Sequence, residues 1–304
     1  MNTSFYPRDM LGYGRTPPKP RWPGDSRLAL QIVINYEEGA ENNVLHGDAG
    51  SETFLSEIIG AQSYSDRHMS MESLYEYGSR SGFWRLYRLM TELRIPITVF
   101  GVAMALERNP AAVAAMQEAD WEIASHAYRW IDHQHMSEDE ERRQIQMAAE
   151  IHKKVTGAAP EGWYTGRDSP NTRKLVIDHG GFLYDSDSYA DDLPYWHFEG
   201  DSPHLVIPYT LDTNDMRFAT SQGFNSGDQF FTYLKDSFDE LYEEGQENPK
   251  MLSVGLHCRI AGRPGRTRSL RRFLKYVLQH EDVWLCRRID IAKHWHKHHK
   301  PVPT

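Results

Sequence analysis

Short apolar runs rich in β-branched residues alternate with segments of helical period along nearly all of this 304-residue chain, and that alternation most constrains how it can fold. The run RLALQIVINYEEG, from Arg27, reads as a buried strand ended by acidic residues and Gly39. Phe83, Leu86, Leu89, Met90 and Leu93 then fall at helical spacing, and PITVFGVA, which begins at Pro96, reads as the next strand. The series continues with PAAVAAMQEA as helix, WEIASH as strand, SEDEERRQIQMAAEIHKK as a helix capped by Ser137, and GWYTGR as strand. A helix over 172–179, strands FLYDSD and HLVIPY, a helix over 228–244, the strand MLSVGLH, a helix around 270–278, VWLC and a closing helix from Asp290 complete it. A strand followed by a helical crossover re-enters the sheet parallel to itself, so the chain predicts an α/β fold with seven or eight mainly parallel strands, curled into a distorted (β/α) barrel. Residues 1–24, rich in Pro, Gly and Arg without periodicity, are expected to form an extended arm, and 25–304 a single barrel domain. The weakly periodic stretch between the first strand and Gly82 predicts an insertion over one end of the core.

Composition narrows the partners. No run approaches the roughly 18 apolar residues of a membrane span. A net charge of −9 repels a phosphate backbone, so nucleic acid is excluded as a partner. Two cysteines, Cys258 and Cys286, make no disulfide framework. The first residues carry no basic segment followed by an apolar run, which leads to the expectation of a cytoplasmic protein with a small intracellular substrate.

In a barrel of this kind polar residues after the strands gather at one mouth. The first strand delivers Glu37 and Glu38; WEIAS delivers His126 and Trp130; GWYTGR delivers Tyr164 and Arg167. Asp185 and Asp187 follow, then Asp212, Asn214 and Asp215, and SVGLH ends at His257. Singly, each has a bland reading: a solvated turn for the glutamates, a backbone cap for His126, a structural ion pair for Arg167, a turn for the aspartates. Their joint order carries the argument.

That order resembles the polysaccharide deacetylase (NodB-like) superfamily over nearly the whole chain, in the segments INYEEG, SHAYRW, YTGRDSP, YDSDSYADDLPYW and GLH. The resemblance implies Glu37 as general base, Glu38 in the place of a metal ligand, Arg167 as the group orienting Glu37, and His257 as general acid. It also implies Trp196 in the substrate site. Relatives carry a second histidine four residues after the first, where Trp130 stands here. An indole N–H cannot ligate a cation, so no metal and no other cofactor is expected. His133 and His135 remain alternative ligands at a different spacing, and the C-terminal HWHKHH reads as a solvated helix end.

Within the superfamily, the Glu-Glu pair, Trp130 and the arm FYPRDMLGYGR together resemble the cofactor-independent allantoinases. That resemblance implies hydrolysis of the hydantoin-ring amide of allantoin to allantoate, with Glu38, His126, Trp130, Tyr164 and Trp196 binding substrate, and a homotetramer. Two rivals stand beside it: a metal-dependent N-deacetylase of sugar or peptidoglycan, and a carbohydrate-binding barrel without activity.

Overall fold

The computed structural model describes residues 7–302. Its nine strands are β1 (Leu28–Tyr36), β2 (Ile97–Gly101), β3 (Glu122–Ser125), β4 (Gly162–Trp163), β5 (Tyr184–Asp185), β6 (Tyr195–Glu199), β7 (Ser202–Val206), β8 (Lys250–His257) and β9 (Val283–Leu285). They form one sheet in the order β6-β7-β5-β4-β3-β2-β1-β8. All pairings are parallel except the β6–β7 hairpin. On one flank β1 pairs with β9 through Leu28–Leu30 and with β2 from Ile32 onward; β8 covers the other flank. All nine residues of β1 are buried, as a strand covered on both faces must be, and this explains its unbroken apolar run.

The helices are α1 (Met69–Tyr77), α2 (Phe83–Leu93), α3 (Ala103–Arg108), α4 (Pro110–Glu118), α5 (Glu138–Thr156), α6 (Thr172–His179), α7 (Gly227–Glu244), α8 (Pro264–Val277) and α9 (Arg288–His298). The expected helices over 172–179 and 228–244 are there, and Ser137 caps α5 by accepting from the Glu140 amide. The insertion differs from its expected loop character, because α1 joins α2 through a π-helical turn over Gly78–Gly82. Strands β4 and β5 are only two residues long. The Thr165 and Gly166 amides that would extend β4 instead donate to the Asp187 carboxylate at 2.8–3.0 Å.

The sheet curls into a half-barrel whose edge strands, β6 and β8, do not pair. One isolated parallel bridge, Asn214 with Gly255, and the bond from Met251 N–H to Asp192 C=O span the gap. Arg288, the first residue of α9, fills it from inside. Its guanidinium donates to Gln31, Ser253, Ser186 and the Ile207 and Pro208 carbonyls, which tie β1, β8 and the segments after β5 and β7 together.

The histidine-rich end of α9 is no solvated tail. Trp295 is buried, His294 and His299 bond the Pro20 carbonyl, and His296 bonds that of Leu183. Trp22 in turn packs among Trp284, His294 and Trp295 and donates to the Lys250 carbonyl, so the segment entering β1 is part of the core beneath the sheet.

Candidate active site

Strand β1 ends at Tyr36, and the turn that follows, with Gly39 at φ +92°, decides where the two glutamates point. Glu37 faces the barrel mouth at the wall of a cavity of about 220 Å3, while Glu38 turns behind the strand and does not line it. Both are at most 4% exposed. The expectation that Glu38 accepts bonds from a substrate is therefore corrected. Its oxygens accept from the Glu37 and Arg259 amides at 3.1 and 3.3 Å, and it packs against Gly78 in the π-helical turn. A Cβ at Gly78 would overlap the Glu38 carboxylate, so the helix approaches this closely only as glycine.

Strand β8 and the turn that follows it deliver two groups to Glu37. His257 places Nε2 3.4 Å from Glu37 Oε1. Its Nδ1–H donates to Asp215 Oδ1 at 2.6 Å, and Asp215 Oδ2 accepts from the His257 and Ala261 amides. Burial opposes charge on this imidazole, but Glu37 and then Asp215 raise its pKa to about 9, so it is a proton donor through neutral pH. Two residues on, Arg259 brings Nη2 to 2.7 Å from Glu37 Oε2. Burial by itself would push the Glu37 carboxyl up; Arg259, His257 and His126 outweigh it and hold the group well below the usual range, ionised. Burial and the neighbouring Glu37 raise Glu38, with Arg259 acting against them.

The third group at Glu37 is His126, the residue after the end of β3, with Nε2 3.4 Å from Oε1. Neither ring nitrogen of this buried histidine finds a hydrogen-bond partner in the protein. Trp130 stacks on Phe54 at 5.9 Å, and the two close one side of the cavity. Tyr164, stacked on Phe100, closes another and bonds Tyr189. Asn35 and Tyr209, bonded to each other, also line the cavity.

Two more assignments change. Arg167 does not orient Glu37: it lies over Trp130 and Phe54, with Nη1 3.6 Å from Glu52, and lines the cavity. Arg259 contacts Glu37 instead. Trp196 is outside the cavity, on β6, where its indole donates to the His299 carbonyl. Arg259 is absent from the strand-end residues that the sequence singles out; its signal is its spacing, two residues after the histidine of GLH. Asp215 is among those strand-end residues, and its role as the partner of His257 emerges only from the fold. Asp185, at the end of β5, is held by Arg173 and His204 away from the cavity.

A catalytic zinc needs three converging donors. Among the described residues no three His, Cys, Asp or Glu side chains are placed to hold a metal ion. Glu38 is occupied by backbone amides, Trp130 offers no lone pair, His133 bonds Glu141 and His135 is exposed. The residues present do not fit the superfamily's metal.

Comparison with known proteins agrees with this architecture. The family model described as polysaccharide deacetylase matches residues 66–180. A Schizosaccharomyces pombe protein provisionally named a polysaccharide deacetylase is 42% identical over 96% of this chain and 98% of its own length. Among solved structures, one from Pseudomonas aeruginosa PAO1, described as a probable polysaccharide deacetylase, is 60% identical, with a TM-score of 0.96 over 98% of this chain and all of that one. Another, described as the allantoinase PuuE, is 59% identical, with a TM-score of 0.97 over the same shares. The fold, the order of the strand-end residues around Glu37 and His257, and identity sustained over nearly the full length converge: the chain belongs to the polysaccharide deacetylase family.

Proposed function

We propose that the protein is an allantoinase, opening the hydantoin ring of allantoin by hydrolysis of a ring amide to give allantoate. The observation that carries this reading is Glu37: an ionised carboxylate with His257 and His126 each 3.4 Å from one oxygen, on the wall of a cavity of about 220 Å3 with aromatic sides. A cavity of that size suits a small flat ring rather than a polymer strand, and Trp130 and Tyr164 line it. The similarity to a structure described as an allantoinase supports the same substrate.

Glu37 takes a proton from water as the water oxygen bonds to the ring carbonyl carbon, and the carbonyl electron pair moves to oxygen. His126, with unpartnered ring nitrogens, and Arg167 are the donors available to that oxyanion. As the carbonyl re-forms, the C–N bond breaks and the ring nitrogen takes the proton of His257. The new acid ionises to solvent, and the proton on Glu37 passes to His257, which restores both groups.

Incubating the protein with allantoin and, separately, with N-acetylglucosamine oligomers, while following allantoate and acetate, tests this. Allantoate alone is expected. Acetate release without allantoate would overturn it.

A further inference from the structure

Two consecutive glutamates buried this deeply must be neutralised, by a proton or by a counter-charge. Glu37 has the two histidines beside it, but among the described residues Glu38 has one cation within reach, Arg259, whose Nη1 lies 3.5 Å from Oε1 while Nη2 lies 2.7 Å from Glu37. The guanidinium thus spans both carboxylates.

Everything else around it fixes its position. Nε donates to the Leu55 carbonyl at 3.0 Å; the Tyr75 ring covers one face at 4.2 Å to its centre, and Trp130 lies at 5.3 Å. Leu55 itself is held at φ +53°, a conformation costly for a branched residue, and its carbonyl is the acceptor that aims the arginine. Neither terminal nitrogen makes a well-aligned hydrogen bond. The group therefore acts on the carboxylates through charge, and its stacking surfaces prevent it from swinging away.

We propose that Arg259 is the resident cation of this site: a positioning residue that holds Glu37 in its reacting orientation and balances the Glu37–Glu38 pair, in a seat that admits a planar organic cation. The seat has carboxylate and carbonyl oxygens in its edge and aromatic faces above it, which matches guanidinium and no spherical ion of similar charge as well. The proposal concerns the seat and does not depend on the substrate. Its catalytic consequence rests on the allantoinase reading.

The test uses Arg259→Ala and Arg259→Lys, with guanidinium chloride at concentrations below those that denature, and urea and ammonium chloride as controls. Guanidinium is expected to raise the Tm of Arg259→Ala by several degrees, leave that of the wild type unchanged, and restore kcat at least tenfold with little change in KM; urea and ammonium should do neither. Arg259→Lys, which keeps the charge without the planar fork, should retain fold while losing about tenfold or more in kcat, and it carries the test if the alanine variant does not fold. Full kcat in Arg259→Lys, or guanidinium acting on Arg259→Ala no better than urea, would overturn the proposal. Should the wild type itself fail to open allantoin, the Tm arm still decides the seat, and the allantoinase reading falls separately.

Discussion

Two arginines in this barrel are almost wholly buried, and they are buried in opposite ways. Arg288, between β8 and the segment that follows β7, bonds two serines, a glutamine and two carbonyls, with no carboxylate in contact, and burial pulls its pKa down. Arg259, at the mouth, lies against two carboxylates and two aromatic rings with only one aligned bond, to Leu55. Burial works against its charge too, but Tyr75, Glu37 and Glu38 raise its pKa. Many neutral acceptors make an arginine a structural bolt; unbalanced carboxylates make one an electrostatic part of a site. The difference predicts where each substitution is felt.

The largest effect is expected at Arg288. Arg288→Met removes the bolt and leaves three buried acceptors, Ser186 Oγ and the Ile207 and Pro208 carbonyls, without their donor, which should cost roughly 3 kcal/mol or more of stability. Denaturant unfolding measures this, and a loss under 1 kcal/mol would erase the contrast. Glu37→Gln removes the partner of Arg259 and sharpens it from the other side: kcat should fall by about a hundredfold while the fold persists. Near wild-type turnover on allantoin would strip Glu37 of its role. Gly78→Ala forces Glu38 out of its seat beneath Arg259, and about a tenfold loss in kcat is expected, since a small misplacement of a reacting group is costly. Trp196→Ala should be the mildest: turnover within about twofold of wild type, since the indole contacts His299 and His296 outside the cavity. A large kcat loss there would put β6 back into the site.

These contrasts also mark how far the sequence could be read. Strand and helix alternation was legible because the apolar period of β1 and α2 is set by burial on local faces. Strand-end residues were legible as a group, because a parallel barrel sends them all to one mouth. Which way each points was not. Glu37 and Glu38 differ by one position, and only the turn at Gly39 sends one into the cavity and the other behind it. Arg167 and Arg259 could each have reached Glu37; the choice depends on Leu55, Tyr75 and Trp130, which come from distant segments. β6 escaped notice because YWHFE is short, buries none of its residues fully and pairs only as a hairpin edge. Arg288 sits in a helix whose two lysines, Lys293 and Lys297, are exposed, and nothing in its sequence neighbours announces the gap that it fills.

At the centre of this account, Glu37 acts ionised and His257 acts protonated, the latter held so by Glu37 and Asp215. The dependence of kcat/KM on pH for allantoin hydrolysis, measured in the wild type and in Asp215→Asn, tests that most directly. Glu37 is held below the usual carboxylate range and His257 is raised to about 9, so activity should stay level through neutral pH and fall as pH rises past about 9. Asp215→Asn removes one of the two charges that raise His257, so its alkaline limb should move to lower pH. A wild-type rate that climbs between pH 6.5 and 9, or an alkaline limb that Asp215→Asn leaves in place, would contradict the assignment of His257 as the acid.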